Sequence, residues 1–203
     1  MINAIIFDFG DVFINLDKQA TLDGLKNLGI AEWNEDLDQL NLQYEVGAIT
    51  GEDFLSGIQK HTDNASIEDI RKAWNAILAD FPLYRLEFLQ MLSQKYRLFL
   101  LSNTDAIHIK TFEKKTGTTF YSDFYQCFEK VYFSFEIGLR KPNPDAYNLI
   151  LDQNGLQAKQ TLFIDDKKEN TDAAAALGFH VWNLQVGEED VVDLFNKKII
   201  QQL

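Results

Sequence analysis

Five short, nearly continuous apolar runs constrain this chain more than any other feature. They are "IIFD" beginning at Ile5, "YRLFLLS" ending at Ser102, "KVYFS" ending at Ser134, "TLFIDD" ending at Asp166 and "FHVWNL" ending at Leu184. Apolar runs of this length without strict alternation suit strands covered on both faces. Four of the five close on a polar residue. Between the later runs lie amphipathic segments with helix punctuation. In "NPDAYNLILDQNG", Asn143 serves as N-cap, Pro144 as first helical residue, Tyr147, Ile150 and Leu151 as one face, and Gly155 as the stop. The alanine-rich "KKENTDAAAALG" after Asp166 ends at Gly178 in the same way. Strands alternating with such helices predict βαβ units: an α/β, Rossmann-like parallel sheet.

From Leu16 to Phe81 the rhythm changes, and only helical periods remain. Ser66 opens a helix with Asp69 three residues on, and Ile67, Ile70, Trp74, Ile77 and Leu78 follow at helical spacing. Leu37, Leu40 and Tyr44 repeat the pattern, and Thr50 with Asp53 caps a helix carrying Phe54, Leu55 and Ile58. The expected organisation is an α/β core from residues 1–15 and 82–203, with a small helical cap, residues 16–81, inserted between the first and second strands. Trp33, Tyr44 and Trp74 read as bundle core, with a pocket lining as their second use.

The 203 residues allow one substantial core plus a small module. A formal charge of -12 argues against nucleic acid, whose binding rests on Lys and Arg. Cys127 is the single cysteine and reads as a small buried apolar residue, so neither an intrachain disulfide nor a zinc set is expected. No run is long enough for a membrane span and the first residues do not form a signal peptide, which makes the cytoplasm the expected location.

Ligands of an open parallel sheet bind at the carboxyl ends of its strands. The first strand ends in Asp8, the second in Ser102, Asn103, Thr104 and Asp105, and the fourth in Asp165 and Asp166; the loop after the third carries Arg140 and Lys141. Taken singly, each has a structural use as a turn, a cap or a solvated charge. Taken together, three converging carboxylates require a cation. Oxygen ligands without a His or Cys cluster point to Mg²⁺, and a hydroxyl, helix-start amides and an ammonium are the donors a phosphate needs.

The segments "FDFGDV", "LLSNT", "GLRKPNPDAY" and "LFIDDKKENTDAA" resemble, in order, the four motifs of the haloacid dehalogenase (HAD) superfamily, and the resemblance spans Ile5 to Val181. "SNT" together with "GLRKP" is especially similar to bacterial sugar-phosphate phosphatases, including the α-glucose-1-phosphatases. The resemblance implies a HAD fold and a two-step phosphatase acting on a small phosphorylated metabolite. Asp8 would be the nucleophile. Mg²⁺ would be held by Asp8, the Gly10 carbonyl and Asp166, with Asp165 a direct or water-mediated ligand. Ser102 and the Asn103 amide would bind phosphate, Lys141 would anchor Asp8 and offset charge, and Asn170 would position Lys141 or the metal shell. Phe13, Asn15, Asp17 and Arg140 are further residues that could face the substrate.

One position departs from the pattern. Phosphatases of the superfamily carry a second Asp two residues after the nucleophile as general acid and base, and here that residue is Gly10. Asp11, one residue on, is expected to point elsewhere. The loss argues against a mutase and favours a substrate whose leaving oxygen is already acidic, such as a sugar 1-phosphate. Two alternatives stand beside the phosphatase: a 2-haloacid dehalogenase, which also lacks that Asp but needs no Mg²⁺ and does not resemble "DDKKEN", and a catalytically weak protein that binds phosphorylated metabolites.

Overall fold

A computed structural model describes residues 2–197. Its centre is a five-stranded, all-parallel sheet of β1 (Ala4–Phe7), β2 (Arg97–Ser102), β3 (Lys130–Phe133), β4 (Thr161–Asp165) and β5 (His180–Asn183), in the order β3-β2-β1-β4-β5. The apolar runs form these strands because both faces are covered. Ile5, Phe7, Leu98, Leu100, Leu162 and Ile164 enter one hydrophobic cluster. Ala4, Ile6, Phe99, Leu101 and Phe163 alternate with them and enter the other.

Register brings the strand ends to one level. Phe7 lies opposite Leu100 on one side and Ile164 on the other, so the residues that follow emerge together. The Asp8 amide extends the ladder by donating to the Ile164 carbonyl at 2.8 Å. The strand order reverses at β1, placing Asp8 at the switch point where an open α/β sheet has its crevice.

Between β1 and β2 run α1 (Lys18–Asn27), α2 (Glu35–Glu45), α3 (Gly51–Gln59), α4 (Ile67–Asn75) and α5 (Leu83–Ser93). The first four share a hydrophobic cluster that includes Leu25, Leu37, Phe54, Ile58, Ile70 and Trp74, whereas Leu86, Leu89 and Leu92 of α5 pack on the sheet. Ser66 receives the Asp69 amide and Thr50 with Asp53 forms a capping box, as the sequence suggests, and Asn34 receives the Leu37 amide. The entering and leaving chains run side by side, with Asn15 N–H donating to Asp80 O, Ala79 N–H to Asn15 O, and Asp17 N–H to Ile77 O. That pairing ends α4 early. Leu78 bridges Leu16 and joins the sheet-side cluster instead of continuing the helical stripe.

The remaining helices are α6 (Ala106–Thr116), α7 (Thr118–Gln126), the short α8 (Ser134–Ile137), α9 (Pro144–Asn154) and α10 (Lys168–Ala176). Asn143 caps α9, and Gly155 ends it in the left-handed conformation at φ 61°. Cys127 is buried, with its thiol donating to the Asp123 carbonyl.

Candidate active site

The strand ends meet at a cavity of about 230 Å³ whose lining includes Asp8, Gly10, Ser102, Asn103, Lys141 and Asp166. At its floor the Lys141 ammonium is 2.8 Å from Asp8 Oδ1 and 2.6 Å from Asp165 Oδ2. The Lys141 side chain is fully buried. Burial opposes its charge, but the two carboxylates outweigh burial and hold its pKa above the ordinary range. Its backbone is fixed to the β2 loop: Lys141 N–H donates to Asn103 Oδ1 at 2.9 Å, and Asn103 Nδ2 donates to Lys141 O at 2.8 Å.

Asp165 is enclosed by donors. Its Oδ1 accepts from Lys167 N–H at 2.8 Å and Asn170 Nδ2 at 3.1 Å, and its Oδ2 accepts from Lys141 and from Asn170 at 3.0 Å. With both oxygens engaged and the residue fully buried, Asp165 acts in this structure as the counter-charge that holds Lys141. Asn170 touches Asp165 rather than Lys141, so its hold on the lysine passes through that carboxylate.

Hard-oxygen donors suited to a divalent cation are present. Carboxylate oxygens of Asp8, Asp165 and Asp166 lie within 4.8 Å of one another. Burial, opposed by Lys141 and reinforced by Asp165, lifts the Asp8 carboxyl well above the usual carboxylate range. Burial and the neighbouring Asp165 likewise raise Asp166. Anionic groups strained in this way fit a bound cation, which would favour their charged forms. Asp8, Asp165 and Asp166 are the carboxylates that could hold Mg²⁺, with the Asp165 oxygens also serving Lys141, and Gly10 lines the same cavity.

The loop after β1 accounts for the departure at Gly10. A Cβ at Gly10 would stand 2.8 Å from Leu16 Cδ1, so a side chain there meets one that already fills the space. Asp11 adopts φ 56° and turns away: its Oδ1 accepts from Leu16 N–H at 3.0 Å and its Oδ2 from Lys18 Nζ at 2.8 Å. It fixes the entry to α1 and is outside the cavity lining. Lys18, by contrast, lines the cavity, with its ammonium 4.0 Å from Asp166 Oδ2.

The far wall comes from α2, α4 and α6, through Asn41, Glu45, Trp74 and His108. Trp74 serves both uses considered for it, packing in the bundle core while its indole stacks on the His108 ring at 5.1 Å. Asp105 holds the pair. Its Oδ2 accepts from Trp74 Nε1 at 3.0 Å and from His108 Nδ1 at 2.9 Å, while His108 Nε2 faces the Trp74 carbonyl at 3.0 Å. Acceptors at both ring nitrogens require an imidazolium. Its pKa is raised accordingly, burial being outweighed by Asp105.

Phe13, Asn15, Asp17 and Arg140 do not line this cavity. Phe13 is in the core, Asn15 bonds Asp80 and Arg85, Asp17 caps α1, and Arg140 pairs with Glu45 at 2.9 Å. Sequence reasoning missed Lys18, Asn41, Glu45 and His108. Asn41 and Glu45 continue from Leu37 in steps of four along one side of α2, a spacing that places them on one face without saying what that face meets.

A family model, described as haloacid dehalogenase-like hydrolase, matches residues 2–178. The chain belongs to the haloacid dehalogenase-like hydrolases. Among relatives of this HAD hydrolase, a D-ribitol-5-phosphate phosphatase of Bacteroides thetaiotaomicron is 24% identical over 195 residues, or 93% of this chain and 95% of the relative. A HAD family enzyme of Bacteroides thetaiotaomicron, crystallised in complex with magnesium and inorganic phosphate, is 36% identical. It superposes with a TM-score of 0.84 over 93% of this chain and 97% of its own. An L-2-haloacid dehalogenase from Xanthobacter autotrophicus shares the fold, with a TM-score of 0.60 at 18% identity over 91% of this chain and 78% of its own.

Proposed function

We propose that this HAD hydrolase is a Mg²⁺-dependent phosphoric monoester hydrolase acting on a small phosphorylated metabolite through an aspartyl-phosphate on Asp8. The observation that carries the reading is the buried Asp8–Lys141–Asp165 charge chain, at 2.8 and 2.6 Å, opening into a cavity beside Asp166. The magnesium and phosphate complex of the structural relative supports it, as does the phosphatase activity named for the relative from Bacteroides thetaiotaomicron.

Lys141 favours the anionic form of Asp8 against burial, as a bound Mg²⁺ would, and aims it. Asp8 attacks phosphorus, forming an oxygen–phosphorus bond as the ester oxygen leaves with the bonding pair and takes a proton from water. A second water, giving a proton to the hydroxide left by the first step, then attacks phosphorus; the Asp8 oxygen–phosphorus bond breaks, releasing inorganic phosphate and restoring Asp8. The Ser102 hydroxyl and the Asn103 amide bind the non-bridging oxygens, and Lys141 offsets the charge that builds on them. Mg²⁺ held by Asp8, Asp166 and the Gly10 carbonyl would supply the positive charge that lets two anions approach. The 16–81 cap covers the site and excludes water during transfer. Asp166 beside the cavity favours this chemistry over halide displacement, which leaves no phosphate dianion to neutralise.

The metabolite is a sugar or polyol phosphate. Gly10 offers no acid, so a sugar 1-phosphate, with its more acidic leaving oxygen, is favoured. The relative named for D-ribitol 5-phosphate supports an open-chain polyol phosphate as the second choice. No helix among the described residues is long and apolar enough to cross a membrane, and a cytoplasmic location is part of this reading.

The test is phosphate release from glucose 1-phosphate, glucose 6-phosphate, D-ribitol 5-phosphate and p-nitrophenyl phosphate, with Mg²⁺ or a chelator, for wild type and Asp8→Asn. Mg²⁺-dependent release that the substitution abolishes is the expected result. Release that survives Asp8→Asn would overturn the nucleophile assignment. Tight phosphate binding without turnover would favour the binding-protein reading.

A further inference from the structure

Asn41 and Glu45 lie one turn apart on α2 and both line the cavity. The Asn41 amide oxygen is buried and accepts no hydrogen bond among the described residues. A buried acceptor without a donor is costly, and with that oxygen turned inward the Asn41 amide N–H₂ is the polar group that the side chain offers the cavity. Glu45 is held differently. One of its oxygens accepts from Arg140 Nε at 2.9 Å, and Arg140 precedes Lys141 in the chain, so this carboxylate is tied to the loop that carries the catalytic lysine. Other parts of the wall are apolar, with Leu16, Ile77, Leu78 and the Trp74 indole.

We infer that Asn41 and Glu45 form a hydroxyl-reading subsite for the leaving group. The occupant is a neutral polyhydroxy carbon chain or ring, its hydroxyls accepting from Asn41 Nδ2 and donating to the Glu45 carboxylate, and its C–H face lying against Trp74 and Leu78. The same carboxylate repels a leaving group that carries its own carboxylate. This deepens the phosphatase reading and rests on it: the β-strand ends handle phosphorus, and α2 distinguishes polyol and sugar phosphates from acidic phosphate esters of similar size.

The experiment compares kcat/KM for D-ribitol 5-phosphate and glucose 1-phosphate with p-nitrophenyl phosphate, which has no carbon-bound hydroxyl, and with phosphoglycolate, which has a carboxylate. The proteins are wild type, Asn41→Ala and Glu45→Gln. Each substitution is expected to lower the ratio of polyol to aryl phosphate kcat/KM by about 10- to 100-fold, mainly through KM, as for lost hydrogen bonds to buried or charged groups. Glu45→Gln should also narrow the discrimination against phosphoglycolate. An unchanged ratio, with all substrates falling together, would overturn the subsite and leave Glu45 a support for the Arg140 loop. Asn41→Ala is the independent arm, because the hydrogen bond to the Arg140 loop comes from Glu45 and not from Asn41. Should wild type hydrolyse only the aryl phosphate, the subsite falls and the phosphatase reading stands. Should it hydrolyse none of the four, both fall.

Discussion

Asp105→Asn isolates the electrostatic contact between α4 and α6. In the wild type, Asp105 Oδ1 accepts the Ile107 and His108 amides at 2.8 and 2.9 Å, capping α6, while Oδ2 accepts from Trp74 Nε1 and His108 Nδ1. Asparagine keeps the first oxygen and is itself a good N-cap, so the helix start survives. Its amide nitrogen then faces two N–H donors, and the buried imidazolium loses its counter-charge. Removing one partner of a buried, hydrogen-bonded ion pair costs about 3–5 kcal/mol. That cost is large against a domain stability of roughly 5–15 kcal/mol.

The pH dependence gives the prediction its sign. The Asp105 pKa is lowered from 3.8, since His108 and the hydrogen bonds outweigh burial; its contribution is present above 3.8 and is lost as pH falls through the depressed value. The His108 pKa is raised from 6.5; its contribution is complete below 6.5 and is lost as pH rises through the raised value. The stability gap between wild type and Asp105→Asn should therefore be widest between those two ordinary values and shrink toward alkaline pH. Urea unfolding followed by tryptophan fluorescence from pH 5 to 9 measures it, and titrations shared by both proteins cancel in the difference. A gap that is smaller at pH 5 than at pH 9 would refute the imidazolium assignment.

Three further outcomes follow from the site. Lys141→Met should reduce kcat by about 10²–10³-fold with little change in KM, since Lys141 faces charge that develops during transfer; steady-state phosphate release is the measurement. Mg²⁺ at 100 times its Kd should raise the unfolding free energy of wild type by about 2.7 kcal/mol, and Asp166→Asn should lose most of that gain in the same thermal or urea unfolding assay. Gly10→Asp alone should displace the Leu16 side chain at small cost to stability in urea unfolding, and Gly10→Asp with Leu16→Ala should raise alkyl relative to aryl phosphate turnover if the new carboxyl reaches the leaving oxygen.

The sheet and its edge residues were legible because they follow from one physical requirement. A buried parallel strand must be apolar until it leaves the sheet, so the first polar residue after each run marks a position at the crevice. Asp8, Ser102, Asp165 and Asp166 were found in that way, and their registry followed from parallel pairing. The same reasoning could not separate the tasks of the two adjacent aspartates. What distinguishes them is a set of donors from Lys141, Lys167 and Asn170, three residues whose convergence depends on how the loops after α8 and β4 close.

The far wall stayed hidden for a different reason. On an inserted helix, periodicity reports which side packs against its neighbours, and Leu37 and Tyr44 of α2 are buried in just this sense. A residue beside that stripe, such as Asn41 or Glu45, faces solvent or a cavity according to the placement of the whole helix over the sheet, which no local pattern encodes. The placement is set by contacts between elements distant in sequence: Trp74 to Asp105, Ile107 N–H to the Tyr44 hydroxyl, and Arg140 to Glu45. Two of these three end at the start of α6, directly after the Ser102–Asn103 segment. The helix that presents the leaving-group wall is thus fastened to the loop that presents the phosphate site, and loss of the Tyr44–Ile107 fastening itself should alter binding of both halves of the substrate.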